Sequence, residues 1–464
     1  MPLFAPIDEK IRKEIRDALG NDAVIAESDR IAPFAKDETV GLARTPELVV
    51  EPTETAQIQA LLRLANLHRF PVTPRGLGTG LAGGAVPFCG GVVLSMARMN
   101  RILSIDRENL FAEVEPGVRT ADLREAARNQ GLFYPPDPAS IDQCSVGGNA
   151  ATNAGGPSCV KYGTTRDYVM GLDVVLPTGE LISTGVRTRK GVVGYDLARL
   201  IVGSEGTLGV ITKLILKLLM APPSVAATAA LYDKLPEALQ SVTDILTSGH
   251  LPSAMEFLDR RCLSLVGDLL PFPGMQEAGA FLLVETDGDD ETVARETEAI
   301  ARICRKGGAK AVLGAPDGDA RERIWKVRRE ISKRIEEKYP AFDIHEDIAV
   351  PIGRIAEFAG GLPALEERYG MMIHTFGHAG DGNLHLNITA DTAPEPGRVE
   401  EGIGAVLDRV LALGGTISGE HGVGLLKKPY IGMEISPASL RLQRDIKRLF
   451  DPRGILNPGK IFPD

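Results

Sequence analysis

The chain has 464 residues, of which 44% are hydrophobic and 25% are charged, and its formal net charge at pH 7 is −10. This composition is that of an ordinary globular protein with enough length for about three domains. The acidic balance and the lack of a basic tract argue against a nucleic-acid partner.

The chain shows no sign of a membrane span or of secretion. No apolar run reaches 18 residues, so a transmembrane helix is not expected. The first residues lack the cationic and apolar regions of a secretory signal. We therefore expect a cytoplasmic protein, with peripheral attachment to a membrane left open.

The cysteines are odd in number and form no CxxC motif, which is typical of reduced thiols. Their scatter also means that the chain supplies no iron–sulfur ligand set of its own. The five positions are Cys89, Cys144, Cys159, Cys262 and Cys304.

The first predicted elements form a β-α-β start. Apolar residues at helical spacing predict a helix over 7–19. A strand over 48–50 is followed by a helix that begins at an N-cap at Thr53 and ends near His68. Residues 70–74 predict the next strand.

A glycine-rich loop follows and contains a formal G-x-G-x-x-G at Gly78, Gly80 and Gly83. That fingerprint for dinucleotides requires a helix next, so that the helix N-terminus receives the pyrophosphate. Residues 91–96 predict a strand instead, and we reject the dinucleotide interpretation on that ground. Bare backbone N–H groups in such a loop can still bind an anion.

Two further small-residue tracts follow. Residues 145–156 are small or polar apart from Val146. This composition is compatible with a backbone surface that binds a flat ligand or with a flexible linker, and the linker is the less favoured of the two. Residues 203–209 form a third glycine loop and lead into a strand over 210–218.

Residues 220–223, Met-Ala-Pro-Pro, predict a domain boundary. Beyond it, strands and helices alternate up to about residue 313, a pattern that predicts an α+β domain of roughly ferredoxin-like type. A basic amphipathic helix over 321–335 carries Arg328, and a solvated charged face is its plainest interpretation. A last helix is expected to begin after an N-cap at Ser436.

The most informative motif is a histidine-rich hairpin. Three of the seven histidines, His374, His378 and His385, fall within twelve residues. The intervening Asp381-Gly382 is a strong signal for a two-residue type I′ turn. Such a turn pairs His378 with His385, with Cβ atoms roughly 4.5–5.5 Å apart. Two imidazoles at this separation can share one divalent metal.

A second motif, Gly419-Glu420-His421-Gly422, complements the hairpin. Glu420 would complete a set of two histidines and one carboxylate with room for substrate or water. In a strand Glu420 and His421 would point to opposite faces, but the flanking glycines permit a kinked backbone that turns both toward one site. The alternative is a buried, hydrogen-bonded histidine pair, and we assign no role to His374.

At these motifs the chain resembles the FAD-linked oxidases of the vanillyl-alcohol-oxidase and p-cresol-methylhydroxylase fold. It looks most like the D-2-hydroxyacid dehydrogenase branch, which holds D-lactate dehydrogenase, the glycolate oxidase flavoprotein subunit and D-2-hydroxyglutarate dehydrogenase. The resemblance covers about residues 45–463. It is carried by six motifs in order, at 74–80, 145–156, 203–209, 377–385, 419–422 and 457–460.

The resemblance implies an α+β protein with a two-subdomain FAD-binding domain of the p-cresol-methylhydroxylase type and an α+β, ferredoxin-like substrate cap. The implied divisions are an N-terminal helical segment over 1–44, the FAD-binding domain over 45–221, the cap with its metal hairpin over 222–415, and a C-terminal segment over 416–464 that returns to the FAD domain.

The resemblance further implies non-covalent FAD, since the first loop has no histidine that could attach it. The residues implied to hold FAD lie in the glycine tracts and the C-terminal tail. They are Pro74, Arg75, Gly76, Gly78, Thr79, Gly80, Ser145, Gly147, Gly148, Asn149, Gly155, Gly156, Glu205, Gly206, Gly209, Val210, Asn457 and Lys460.

The implied metal site is His378, His385 and Glu420, with zinc expected first and manganese or iron as alternatives. The resemblance makes His421 the catalytic base and Arg328 the clamp for the substrate carboxylate. This set suits oxidation of a 2-hydroxy acid. FAD accepts the hydride, the metal lowers the pKa of the hydroxyl, the histidine takes the proton and arginine offers a bidentate fork.

The implied substrate is a short monocarboxylate, D-lactate first. Members that act on D-2-hydroxyglutarate carry a lysine near the position of His345, whereas His345-Glu346-Asp347 suits a second carboxylate poorly. Glycolate and D-2-hydroxyglutarate remain alternatives. A flavin oxidase of phenols or sugars is disfavoured by the metal-type residues, and a structural zinc protein without flavin is the least favoured interpretation.

A non-catalytic flavin-binding subunit of a larger oxidase is a different class of function. The joint presence of the metal-type residues, His421 and Arg328 argues against it. Because the chain has no iron–sulfur motif, a separate partner must accept the electrons. An electron-transfer flavoprotein, an iron–sulfur subunit, a quinone and oxygen are all open, as is a homodimer.

Overall fold

Residues 4–269, 277–315, 318–392 and 395–463 are described by a computed structural model of the chain. The backbone forms two units. The first comprises Met1–Ala154, Thr164–Ala221 and His421–Asp464, and the second comprises Gly155–Gly163 and Pro222–Glu420. Each unit mixes helices with sheets, which confirms the α+β class. No helix in the described ranges is both long and apolar enough to cross a membrane.

The first unit contains a four-stranded sheet built from β1 Val24–Ile25, β2 Leu48–Val50, β3 Val72–Arg75 and β4 Val92–Ser95. The strand order is β1-β2-β4-β3, in which β2 and β3 run parallel to β4 and β1 runs antiparallel to β2. The glycine-rich loop after β3 leads into β4 and not into a helix. This confirms the rejection of the dinucleotide fingerprint.

The second sheet of this unit is antiparallel throughout. Its strands are β5 Ile102–Asp106, β6 Phe111–Val114, β8 Val169–Val175, β9 Leu181–Gly185 and β10 Val210–Lys217. They are arranged in the order β5-β6-β10-β8-β9. Two short strands, β7 Leu132–Phe133 and β11 Leu219–Met220, form a separate antiparallel pair.

The helices of the first unit are α1 Glu9–Leu19, α2 Ser28–Ile31, α3 Thr55–His68, α4 Thr120–Arg128, α5 Val146–Thr152, α7 Leu197–Ile201, α15 Ile431–Glu434 and α16 Pro437–Phe450. Helix α1 repeats Ile11, Ile15 and Leu19 every four residues, and all three are buried in one core with residues of α3. This spacing places apolar side chains on one helix face.

The ends of two helices test predictions about capping. Ser436 caps α16 as predicted, since its side chain accepts a hydrogen bond from the N–H of Ser439. The predicted N-cap at Thr53 is wrong. The N-cap of α3 is Glu54, and the N–H of Thr53 donates to the side chain of Gln57 instead. The sequence disfavoured a flexible linker over residues 145–156, and the structure agrees, because Ser145 caps helix α5 there.

The second unit is organised around a seven-stranded antiparallel sheet. Its strands are β12 Ser224–Tyr232, β13 Ala254–Asp259, β14 Ala280–Gly288, β15 Ala311–Ala315, β16 Asp343–Ala349, β17 Met372–His378 and β18 Asn383–Thr389. The order is β15-β12-β14-β13-β17-β18-β16. This places β13, β17, β18 and β16 side by side, and these four strands carry the candidate site.

The helices of the second unit are α6 Cys159–Tyr162, α8 Leu235–Thr247, α9 Arg260–Val266, α10 Asp290–Lys306, α11 Gly318–Lys338, α12 Ile355–Gly360, α13 Leu362–Tyr369 and α14 Pro396–Ala412. Helix α11 buries Ile324, Val327 and Ile331 in a core shared with strands of the sheet. The same helix carries Arg328.

The predicted register of the histidine hairpin is wrong. Strands β17 and β18 pair antiparallel, but His378 lies opposite Asn383 and His385 lies opposite Phe376. The connection is a four-residue turn over 379–382 in place of a two-residue turn. A type I′ turn needs positive φ at both central residues. Only Gly382 has a positive φ here, at 87°, while Asp381 does not.

Candidate metal and flavin sites

The three predicted metal ligands come together in the second unit despite the shifted register. A shift of one residue would turn a side chain to the other face of the sheet, whereas a shift of two keeps the face. His378 and His385 are therefore diagonal neighbours on one face. Their rings meet edge to face with centroids 5.1 Å apart.

The donor atoms of these residues form a nearly equilateral triangle. Nε2 of His378 lies 3.4 Å from Nε2 of His385 and 3.4 Å from Oε1 of Glu420. Nε2 of His385 lies 3.5 Å from the same Oε1. Two ligands of a tetrahedral metal with bonds of about 2.1 Å are about 3.4 Å apart. The triangle therefore fits one small divalent cation.

Glu420 is held in place by its own backbone. Its N–H donates to Oδ2 of Asp347 at 2.7 Å. Gly419 precedes it at a position where a Cβ would lie 2.1 Å from Nδ2 of Asn383. Gly155 leaves room for the side chain, because a Cβ there would lie 2.6 Å from Oε2 of Glu420. Glycine at both positions leaves free the space that these side chains occupy.

Asp347 is the residue that joins the parts of this site. It is completely buried on β16 and accepts from Nδ2 of Asn383 at 2.7 Å through Oδ1. Through Oδ2 it accepts from Glu420 and from Oγ of Ser418 at 3.3 Å. Asp347, His385 and Glu420 each offer a ligand atom within 4.8 Å of the others, so Asp347 is itself a candidate ligand or the anchor of the other two.

His378 is buried between two carboxylates. Its Nδ1 donates to Oε1 of Glu256 at 2.5 Å, and its Nε2 faces Glu420. Burial alone would lower the pKa of His378, but the charges and hydrogen bonds of the two glutamates outweigh it and raise the pKa well above the usual value. A cation bound at Nε2 would displace that proton.

Arg328, on helix α11, shares a carboxylate partner with His378. Its Nε donates to Oε2 of Glu256 at 2.6 Å, and its guanidinium lies 4.9 Å from the ring centroid of Phe376. The bond to Glu256 uses Nε and does not involve the two terminal nitrogens of the guanidinium. The predicted role as a substrate clamp therefore stays a prediction, with those nitrogens as the available fork.

His421, the predicted base, is the first residue of the third segment of the first unit and is half-buried. The backbone that follows it is anchored by Glu205. The N–H groups of Val423 and Gly424 each donate at 2.8 Å to one oxygen of that buried carboxylate. Burial raises the pKa of Glu205, and these two bonds oppose the rise.

The predicted flavin-binding segments of the first unit converge. The side chain of Asn457 donates to the carbonyl oxygens of Gly84 at 3.1 Å and Glu205 at 2.7 Å. Nζ of Lys460 donates to Gly83 and Val86 at 2.5 Å. The first loop, the third glycine loop and the C-terminal tail are thereby brought together. Burial lowers the pKa of Lys460 to about 8.

The second tract joins the same cluster through close backbone packing. A Cβ on Gly76 would lie 2.5 Å from Oγ of Ser145, and one on Gly147 would lie 2.7 Å from the carbonyl oxygen of Pro116. The N–H of Glu205 donates to Ala151 of α5 at 2.7 Å. The remaining predicted residues of this unit lie in the same segments: Pro74, Arg75, Gly78, Thr79, Gly80, Gly148, Asn149, Gly206, Gly209 and Val210.

The first loop has the character of an anion-binding nest. In the described part of the chain, the backbone N–H groups of residues 76–82 donate to no protein acceptor, although the loop is half-buried. Oδ1 of Asn457 is buried and likewise has no partner among the described residues. Buried polar groups normally find a partner. The N–H groups of the loop therefore fit an anionic ligand such as the pyrophosphate of FAD, whereas Oδ1 of Asn457 is an acceptor and would need a donor on the ligand.

Gly155 and Gly156 differ from the other predicted flavin residues. They begin the segment Gly155–Gly163, which belongs to the second unit. Gly155 lies against Glu420, as noted above. Their role in holding FAD stays a prediction.

Sequence reasoning missed Glu256 and Asp347. Both are acidic residues within strands, Glu256 in the mostly apolar Ala-Met-Glu-Phe-Leu-Asp and Asp347 in the mixed Asp-Ile-His-Glu-Asp-Ile-Ala. A carboxylate that lies in a strand with buried neighbours must have a buried partner. That signal could have singled them out, but it does not name the partner.

Two family profiles match the chain. An FAD binding domain matches residues 46–185, and the C-terminal domain of FAD linked oxidases matches residues 221–461. Together they cover most of both units.

Several curated relatives align along nearly the whole chain. Glycolate oxidase subunit GlcD of Bacillus subtilis (strain 168) is 43% identical over 431 residues, which are 92% of each chain. D-lactate dehydrogenase of Anaerostipes hadrus is 40% identical over 444 residues, again 92% of each. D-2-hydroxyglutarate dehydrogenase of Stutzerimonas stutzeri (strain A1501) is 34% identical over 469 residues, 98% of this chain and 99% of the relative.

Among solved structures, p-cresol methylhydroxylase with substrate bound superposes with a TM-score of 0.82 over 100% of this chain and 99% of that one. The two sequences are 19% identical. At this identity the likeness shows the fold alone, and it confirms the type of fold that the six motifs indicated.

Proposed function

We propose that this chain, which belongs to the FAD-linked oxidase family, oxidises a D-2-hydroxy acid to the 2-oxo acid with non-covalent FAD and a divalent metal ion. Relatives that bear the names of glycolate oxidase, D-lactate dehydrogenase and D-2-hydroxyglutarate dehydrogenase support a 2-hydroxy acid as substrate. The observation that carries the metal part is the triangle of His378, His385 and Glu420, whose donor atoms lie 3.4–3.5 Å apart.

The cofactors supply the parts of the reaction that side chains cannot. FAD accepts a hydride, and a divalent metal lowers the pKa of a bound hydroxyl. His378, His385 and Glu420 would hold the metal, zinc first, with manganese or iron as alternatives. The N–H groups of the first glycine loop, together with Asn457 and Lys460, would hold the flavin.

The chain's own residues then handle the substrate and its proton. His421, the neighbour of Glu420 in sequence, takes the hydroxyl proton as general base. Arg328 binds the substrate carboxylate through its terminal nitrogens, while Glu256 occupies Nε. With the carboxylate and the hydroxyl both held, the C2 hydrogen is left as the atom that departs as hydride.

We propose D-lactate as the preferred substrate. Strand β16 carries Asp343, Glu346 and Asp347, and His345 is 3.0 Å from Asp343. Asp343 and Asp347 share one face of this strand and would repel a second substrate carboxylate, which disfavours D-2-hydroxyglutarate. Glycolate is the second candidate, because it is also a short monocarboxylate.

The proposal includes a separate electron acceptor. The five cysteines all lie in the described residues and form no disulfide there, and their spacing in the sequence contains no iron–sulfur ligand motif. An electron-transfer flavoprotein, an iron–sulfur subunit or a quinone would complete the turnover, in a protein that we place in the cytoplasm.

The decisive experiment is anaerobic reduction of the flavin in the purified chain. D-lactate, L-lactate, glycolate and D-2-hydroxyglutarate are mixed in turn with the yellow protein, before and after treatment with a chelator. We expect D-lactate to bleach the flavin fastest, L-lactate to leave it oxidised, and the chelator to stop bleaching by every acid. A purified chain without flavin, or bleaching by none of these acids, would refute the proposal.

A further inference from the structure

Glu256 is a fully buried carboxylate whose two oxygens serve two different parts of the candidate site. It lies on β13 directly opposite His378 of β17. Its Oε1 accepts from Nδ1 of His378 at 2.5 Å, and its Oε2 accepts from Nε of Arg328 at 2.6 Å. One carboxylate thus contacts a proposed metal ligand and the proposed carboxylate clamp.

These contacts close into a ring of five side chains. The guanidinium of Arg328 lies 4.9 Å from the ring centroid of Phe376, and that ring lies 5.5 Å from the ring of His385. Nε2 of His385 in turn lies 3.4 Å from Nε2 of His378, which returns to Glu256. A change in the orientation of one of these side chains therefore affects both the proposed metal ligands and the proposed carboxylate clamp.

The bond to Glu256 determines which nitrogen of His378 is free. A carboxylate accepts but does not donate, so Nδ1 keeps its proton, and Nε2, which faces His385 and Glu420, is the nitrogen left to bind a metal. Outer partners of this kind fix the tautomer and ring orientation of ligating histidines, and their loss typically costs about 10–100-fold in metal affinity.

The bond to Arg328 has a similar effect on the clamp. The guanidinium is a planar fork, and fixing Nε fixes the plane in which the two terminal nitrogens lie. Arg328 is only 11% exposed, so Glu256 also balances its charge in a place where little water does so.

We propose that Glu256 is a positioning residue that holds His378 and Arg328 in their working orientations at the same time. This inference rests on the proposed function, because it assigns partners to a metal ligand and a substrate clamp. Its consequence is that one substitution weakens both metal binding and substrate binding, although Glu256 touches neither ligand.

A neighbouring carboxylate provides the control. Glu285 lies on the adjacent strand β14, accepts from Nε1 of Trp325 at 2.7 Å and pairs with Arg321 at 3.8 Å. Trp325 and Arg321 are on α11, the helix that also carries Arg328. Glu285→Gln therefore perturbs a part-buried bond between the same sheet and the same helix, one strand away from Glu256.

The test measures zinc affinity by competition with a chromophoric chelator, so that activity plays no part in the readout. Zinc dissociation constants are compared for the full-length chain, Glu256→Gln, Glu256→Asp and Glu285→Gln. We expect Glu256→Gln to weaken zinc binding by about 10–100-fold, Glu256→Asp to weaken it less because the charge remains, and Glu285→Gln to stay within about twofold of the parent. If Glu256→Gln fails to fold, Glu256→Asp against Glu285→Gln carries the comparison.

A second measurement addresses the clamp. The D-lactate concentration for half-maximal bleaching should rise in Glu256→Gln relative to Glu285→Gln, while the flavin content stays equal. Zinc affinity within about twofold of the parent in both Glu256 variants would overturn the positioning role, and so would an equal loss in Glu285→Gln. Either result leaves the proposed function intact if the parent chain is still bleached. Failure of the parent to bleach, with zinc affinity still dependent on Glu256, would overturn the proposed function and leave the positioning of His378 standing.

Discussion

Oδ2 of Asp347 accepts a hydrogen bond from the backbone N–H of Glu420 at 2.7 Å. Through its other oxygen the same carboxylate binds the side chain of Asn383, the first residue after the hairpin turn. Asp347 is completely buried and therefore connects strand β16 to the hairpin and to the loop that carries the proposed carboxylate ligand. The position of Glu420 thus depends on a residue 73 positions away in sequence.

Asp347→Asn should weaken both the fold and the metal site. Asparagine has one acceptor oxygen where aspartate has two, and its amide nitrogen cannot accept a hydrogen bond. Either the side chain of Asn383 or the N–H of Glu420 therefore loses its partner, which lowers the free energy of unfolding by about 1–3 kcal/mol. We expect zinc affinity to fall as Glu420 becomes less well placed. Denaturant unfolding with and without zinc measures both effects. Asp343→Asn on the same strand is the control, and an equal loss of zinc affinity there would contradict the role of Asp347.

Removal of the metal should leave the flavin in place. The proposed metal ligands belong to the second unit, whereas the convergent glycine loop and tail belong to the first. We expect chelator-treated protein to keep its yellow colour, to lose flavin reduction by D-lactate and to regain it on addition of zinc or manganese. His385→Ala should behave like the treated protein and fail to respond to added metal. Full turnover of the stripped protein would contradict the metal assignment.

His421→Ala should separate binding from proton transfer. General-base catalysis by a positioned side chain typically contributes about 10²–10⁴-fold in rate. We expect the rate of flavin bleaching by D-lactate to fall by that factor, while flavin content and zinc affinity stay near those of the parent. Stopped-flow absorbance at the flavin band measures the rate. Bleaching at a near-native rate would show that another group takes the proton.

His374 should make the protein less stable in mild acid. It is buried, Nδ1 has no partner among the described residues, and burial, with a smaller effect from the charge of Arg261, lowers its pKa to about 4. The unfolded chain binds this proton near the ordinary pKa of about 6.5. Its contribution to stability is therefore complete above pH 6.5 and is lost as the pH falls toward 4, by at most about 3 kcal/mol.

His374→Gln isolates that contribution, because glutamine does not titrate. The free energy of unfolding of the variant, followed by denaturant between pH 7 and pH 4, should fall less steeply than that of the parent. The decrease in the free energy of unfolding that both proteins show on acidification comes from the protonation of carboxylates. Parallel curves for the two proteins would mean that His374 is protonated as readily in the folded chain as in the unfolded chain.

Local signals predicted much of the secondary structure. The interval of four residues in α1, the cap at Ser436 and the strand after the first glycine loop all appear where the sequence indicated them. Such features depend on groups within a few residues of one another, so a single sequence contains them. The N-cap of α3 is Glu54 and not Thr53, which shows the limit, because the capping preference of a residue type does not by itself locate the first residue of a helix.

The sequence predicted the hairpin of β17 and β18 correctly, but the predicted pairing of residues between the two strands was wrong. Asp381-Gly382 favoured a two-residue turn, but Ala379 and Gly380 are part of the turn too, and His378 pairs with Asn383. The side-chain period of two in a strand explains why the prediction of the site survived. The true register differs from the predicted one by two residues, so both histidines still lie on one face of the sheet.

The order of residues along the chain already shows which ligand types are present and that two histidines of one hairpin share a face. What holds these ligands in place follows from contacts between residues far apart in the chain. Glu256 lies 122 positions before His378, and Asp347 lies 73 before Glu420. A buried carboxylate must find a partner, but the pairing of β13 with β17 and of β16 with β18 selects which one. Strand order follows from the packing of the whole sheet, and no local pattern of residues encodes it.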